Sequence, residues 1–172
     1  MHQLHLLRHA KSSWDDDGDD HARPLTRRGR EAARLIGESL PKVDTRIDLV
    51  LCSSAVRTRE TAGFVLASLE PAPKIHYEDG LYLASRTVLM QRLCELEERY
   101  DTVMVIGHNP GLHELAMALA TPDSVGFSTL VNGKFPTGVR CRFVVGTDWG
   151  EIDSTRHRLV DYVTVKSLGD PD

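Results

Sequence analysis

Leu4, Leu6 and Leu7 form a short apolar run that stops abruptly at Arg8-His9. The pattern predicts a strand buried on at least one face. Small and polar residues follow, Lys11-Ser12-Ser13. Thr26 then offers an N-cap for a helix with apolar positions Ala32, Ala33, Leu35, Ile36 and Leu40, stopped by Pro41. A second apolar run, Ile47 to Cys52, ends in Ser53-Ser54, which read as a serine cap on a helix carrying Arg57 in its first turn. Pro71-Ala72-Pro73 breaks the chain before a short strand at Ile75 to Tyr77. A helix is predicted from Ser85 or Arg86 to about Arg99, with Val88, Leu89, Leu93 and Leu96 inward and Cys94 on the same side. Thr102 to Ile106 reads as a buried strand. Gly107-His108-Asn109-Pro110-Gly111 is a tight turn into a helix bearing Leu112, Leu115, Ala116 and Leu119. Val139 to Val145 alternates with Arg140 and Arg142, which predicts a strand with one exposed face. A last strand falls within Arg158 to Val165.

Three strand-to-helix junctions in this order predict an α/β sandwich with a largely parallel sheet. The whole chain, residues 1–172, reads as a single domain, without repeat or linker. In such sheets ligands bind outside the carboxyl ends of the strands. Each junction carries a group suited to phosphate there: Arg8 and His9, Arg57 beside Ser53 and Ser54, and His108. Guanidinium keeps its charge at every physiological pH and clamps phosphoryl oxygens, whereas neutral imidazole is a nucleophile. One histidine of the set can attack a phosphoryl group and the other can hydrogen-bond its oxygens.

Composition narrows the classes. A net charge of -4 gives no basic field for nucleic acid. No apolar run approaches membrane-spanning length, and the early leucines are too interrupted for a signal peptide. Three cysteines without metal-type spacing fit reduced thiols in the cytoplasm. Five aspartates between Asp15 and Asp20 suggest a cation site, but a calcium loop starting at Asp15 would need an acid at Thr26. An aspartyl-phosphate phosphatase would place Asp-x-Asp at a strand end, so these aspartates read as a solvated acidic loop. Cys52 to Arg57 is one residue too short for a cysteine phosphatase, as is Cys94 to Arg99. Met117 stands where a zinc protease beginning at His113-Glu114 needs its second histidine.

The chain resembles the histidine phosphatase superfamily, also called phosphoglycerate-mutase-like, and within it the small phosphohistidine phosphatases of the SixA type. Leu6 to Trp14, Arg23-Pro24-Leu25-Thr26 through Gly29, Cys52 to Ala62 and Gly107-His108-Asn109-Pro110 carry the resemblance. Ala10 stands where the superfamily often has glycine. The resemblance implies a three-layer αβα fold with a mixed sheet and a phosphohistidine formed on His9. It implies that Arg8 and Arg57 bind the phosphoryl oxygens, that His108 completes the pocket, and that no metal or other cofactor takes part. The substrate expected is a phosphohistidine protein or a small phosphate ester, with no nucleic acid or membrane partner. The rival from another class is a non-catalytic phospho-ligand module. Larger superfamily members use a carboxylic acid after the third strand as proton donor. Here Glu78 is the first candidate and Asp79 the second.

Overall fold

In the computed structural model, residues 1–14, 18–40 and 46–169 are described. Asp15, Asp16 and Asp17 of the acidic loop and the expected stop at Pro41 lie outside them. The run that opens the chain forms β1 (His2–Arg8). The helix capped by Thr26 is α1 (Arg27–Ser39), with the Thr26 side chain accepting from the Gly29 N–H. Next come β2 (Leu49–Ser53), α2 (Val56–Val65) and β3 (Lys74–Glu78). They are followed by α3 (Arg86–Cys94), β4 (Thr102–Gly107), α4 (Gly111–Leu119) and α5 (Phe127–Asn132). The last strands are β5 (Arg140–Val145) and β6 (Arg158–Val163).

The six strands make one mixed sheet in the order β3-β2-β4-β1-β5-β6. Pairings from β3 through β1 are parallel, and those of β5 are antiparallel. Alternate residues of the central strands feed two cores. Leu4, Leu6, Leu51, Val103 and Val105 pack with α3, α4 and α5 residues such as Leu89, Leu115 and Leu130. Leu7, Val50, Cys52, Met104 and Ile106 pack with α1 and α2 through Ala33, Ile36, Ala62 and Val65. Helices on both faces explain why β1, β2 and β4 are apolar on both sides. Among the described residues no helix is long and apolar enough to cross a membrane.

Three local expectations are corrected. The third helix stops at Cys94 and the chain continues in turns to Tyr100. Its inward face is Leu89 and Leu93, with Val88 at 44% exposure; Val88 lies about 100° round the helix from Leu89. Cys94 is only half-buried. The expected exposed face of β5 is not exposed at Arg140, which is buried. β5 is an interior strand, and the Arg140 guanidinium meets His5 Nδ1 at 3.3 Å and the Asp161 carboxylate at 3.0 Å.

Candidate active site

β1 and β4 are parallel neighbours, so Arg8 pairs with Gly107 and the chain leaves both strands at one edge. This register places His9 beside His108, with ring centroids 5.3 Å apart. The turn after β2 delivers Arg57 to the same place. Thr61 ties these pieces together. Its hydroxyl donates to the Arg57 carbonyl at 2.7 Å and accepts the Ala10 N–H at 3.0 Å. The loop after His9 is held by α1: Thr26 N–H donates to the Lys11 carbonyl, and a Cβ on Gly29 would stand 2.0 Å from that oxygen. Only glycine permits that approach.

The four residues from the three junctions, Arg8, His9, Arg57 and His108, line one open cavity of about 620 Å³. The His9 Nδ1 lies 2.7 Å from the Ala10 carbonyl. A carbonyl only accepts, so Nδ1 carries the proton and Nε2 keeps a lone pair. Burial lowers the His9 pKa to about 3, against the Ala10 carbonyl and with help from Arg8, Arg57 and Arg23. The imidazole is therefore neutral at neutral pH. His108 is also brought to about 3, first by burial and then by His9 and Arg57.

Three buried donor or ring atoms here have no partner: Arg8 Nε, Arg57 Nε and His108 Nδ1. Burial and the charge of Arg57 pull the Arg8 pKa below its ordinary value. Two guanidinium groups that line one cavity, each with an unpartnered Nε–H, suit an anion of several oxygens. The remaining Arg8 contact is Nη1 to the Phe135 carbonyl at 2.9 Å, which Asn109 Nδ2 also reaches at 2.9 Å.

The expected serine cap on α2 is absent. Its N-cap is Ala55, without a side-chain bond. Ser53 Oγ instead lies 2.7 Å from His108 Nε2, and Ser54 Oγ 2.9 Å from His21 Nε2.

The acidic loop is corrected at Asp20. Its carboxylate lines the cavity and accepts from Arg23 Nε at 2.9 Å, from Arg57 Nη2 at 3.2 Å and from the Tyr82 hydroxyl. The Tyr82 hydrogen bond, then those from Arg23 and the charge of Arg57, bring its pKa down to about 2. Asp20 is thus an ionised bracket between two arginines. Arg23, buried, is a third arginine in the cavity. Sequence reasoning left Asp20, Arg23 and Tyr82 out of the site. Arg23 was present in the motif Arg23-Pro24-Leu25-Thr26, and a buried arginine needs anionic or carbonyl partners nearby.

Glu78 is not brought to the cavity. Its carboxylate is held bidentately by Arg92, with both distances 2.9 Å, and it borders a different hollow. β3 is an edge strand, separated from β1 by β2 and β4, about 14 Å away at the usual strand spacing. Asp79 is exposed in the turn that follows.

The sequence pattern of the histidine phosphatase superfamily (branch 1) matches residues 4–82. An uncharacterized protein of Mycobacterium tuberculosis is 31% identical over 158 residues, covering 91% of this chain and 98% of its own. The chain belongs to the histidine phosphatase superfamily. Among solved structures, the protein assigned as the phosphohistidine phosphatase SixA of Nakamurella multipartitia superposes with a TM-score of 0.83. It is 26% identical, with 95% of each chain covered. Its Agrobacterium tumefaciens counterpart gives 0.81 at 27% identity, over 95% of this chain and 97% of that one. The fold is the phosphoglycerate-mutase-like αβα sandwich, SixA-like in its neighbours, and the protein is a phosphatase.

Proposed function

We propose that this histidine phosphatase works through a phosphohistidine on His9 and that it removes phosphate from phosphohistidine in proteins. In the first step the His9 Nε2 lone pair attacks phosphorus, the new N–P bond forms, and the bond to the leaving group breaks. The Ala10 carbonyl holds the Nδ1 proton and steadies the charge that the ring acquires. Arg8 and Arg57 take the phosphoryl oxygens, and the His108 Nδ1–H donates to one of them. In the second step water attacks phosphorus. The P–N bond breaks, His9 recovers its lone pair, and the water proton leaves with the phosphate or to solvent. Positive charge comes from arginine, so the reaction needs no metal.

The observation that carries the substrate class is the state of Asp20. It is the one carboxylate among the described residues that line the cavity, and Tyr82, Arg23 and Arg57 hold it ionised, so it has no proton to give. An alkyl ester leaves as an alkoxide and needs a donor. Imidazole, with a conjugate-acid pKa of about 6.5, takes its proton from water near neutrality. The cytoplasm is the proposed compartment, supported by three unpaired cysteines. The decisive experiment compares a purified phosphohistidine protein with aryl and alkyl phosphate esters. The phosphohistidine protein should be turned over with the highest kcat/KM. An alkyl ester in first place would overturn the substrate assignment.

A further inference from the structure

The cavity is far larger than a phosphoryl group: 620 Å³ equals about twenty waters at the liquid's volume per molecule. Its outer part therefore surrounds the leaving group. Among the described residues twelve line it, and ten of these are polar or charged; the apolar two are Trp14 and Leu83. Both are exposed, Trp14 at 79% and Leu83 at 51%. Two of the seven exposed large apolar side chains among the described residues thus border the arginine-lined cavity, where a bound leaving group can reach them.

Trp14 is exposed yet held. The Arg23 guanidinium lies 3.7 Å from the indole centroid, against one ring face. That guanidinium is itself pinned, by Asp20 at Nε and by the Ser12 hydroxyl and Ser13 carbonyl at Nη1. An indole backed by a fixed cation presents its other face to solvent. Leu83 adopts φ 50, in the left-handed region that leucine rarely enters. Its neighbour Tyr82 is anchored on Asp20. Such a backbone persists where its surroundings impose it, often beside a ligand.

We propose that Trp14 is the platform on which the leaving group lies, with Leu83 as a second apolar contact, so that the preferred leaving group is a flat ring. This rests on the phosphatase reading above and adds to it a determinant of selectivity. The ring is the imidazole of phosphohistidine or the aryl group of an aryl phosphate. Stacking serves both, and a protonated imidazole gains attraction to the indole face as well.

Four substrates separate ring from bond type. Phosphohistidine protein and phosphoramidate share the P–N bond, but only the first carries a ring. Aryl and alkyl phosphates make the same pair for P–O. Trp14→Leu keeps apolar bulk without a ring; Trp14→Phe keeps a ring. Trp14→Leu should lower kcat/KM for the two ring substrates by roughly 2- to 10-fold relative to their ringless partners, chiefly by raising KM. Trp14→Phe should retain most of the wild-type preference. An equal fall for ring and ringless substrates would mean that the indole only steadies Arg23, and would overturn the proposal, as would no change at all. Wild-type protein that turned over none of the four would overturn the phosphatase reading and this proposal with it. Turnover with an unchanged ring preference would overturn this proposal alone.

Discussion

Ser53 Oγ lies 2.7 Å from His108 Nε2 and 3.3 Å from the Ala55 backbone nitrogen. Ser53 is fully buried. Its oxygen accepts the Ala55 N–H, so its one proton is best used toward Nε2. The His108 proton is thereby placed on Nδ1, the unpartnered atom of that ring. A positioning residue of this kind decides which way a neutral imidazole donates. Ser53→Ala should lower kcat/KM by roughly 10-fold, the worth of one buried hydrogen bond. Nitrogen NMR of labelled histidine reads the tautomer directly: Nδ1–H in the wild type, a mixture in the variant. A wild-type His108 protonated on Nε2 would contradict this account.

Covalent catalysis predicts a trapped intermediate. Rapid quench with labelled substrate should yield an acid-labile, base-stable adduct on His9. His9→Ala should lose both adduct and turnover. Full activity in that variant would sink the nucleophile assignment.

Arg57 donates to Asp20 through both terminal nitrogens, while its Nε has no partner. Arg57→Ala should cut kcat/KM by about 2–4 kcal/mol in transition-state stabilisation, the scale for one such donor. Chelation with EDTA should leave wild-type activity unchanged. Activity abolished by chelator and restored by a divalent ion would show that a metal supplies charge here.

Acid should destabilise the fold before it reaches the carboxylates. His5, buried on β1 beside Arg140 and Arg142, has its pKa brought to about 3, chiefly by burial and then by those arginines. Unfolded, it titrates at its ordinary 6.5. Between these values the unfolded chain binds the proton and the folded chain does not. Stability is therefore fully present above pH 6.5 and is lost as pH falls toward 3. At pH 5 His5 alone accounts for roughly 2 kcal/mol, or a fall in Tm of roughly 4–8 °C for a chain of this size. Melting curves at pH 7 and pH 5 test this. An equal or higher Tm at pH 5 would contradict it.

Glu78 pairs with Arg92, and both side chains are partly exposed. Glu78→Gln should cost no more than about 1 kcal/mol of stability and leave the ratio of alkyl-ester to phosphohistidine turnover unchanged. A selective loss of alkyl-ester turnover would restore Glu78 as the proton donor.

These contrasts show which information is local in sequence. A strand end followed by a polar residue is a short-range pattern, so Arg8, His9, Arg57 and His108 could be read from the chain, and the parallel order of the sheet gathers them. Asp20 and Tyr82 could not. Asp20 meets Arg57 across 37 residues and Tyr82 across 62, and no spacing rule encodes such a meeting. Glu78 looked suitable because it follows a strand, but its place at the sheet edge gives it to Arg92. Arg140 misled for a similar reason. Alternation marks which residues share a face, whereas a guanidinium on that face stays buried when Asp161 and His5 receive it.

The strand that ends in Arg8 and leads into His9 is synthesised well before both of the strands that flank it. Its partners are residues 102–107 and 140–145, and the carbonyl that holds Arg8 belongs to Phe135. At 5–20 residues per second, roughly 7–27 s of synthesis separate His9 from the end of β5. Until β4 is made β1 is an apolar segment with two unpaired edges, and until β5 is made it keeps one, a liability that chaperones commonly cover. The nascent chain holds its nucleophile without His108 and without the Phe135 carbonyl that holds Arg8, so catalytic competence arrives late. Pairings this distant also slow folding. The central position that shields His9 in the finished enzyme makes its site among the last parts of the molecule to assemble.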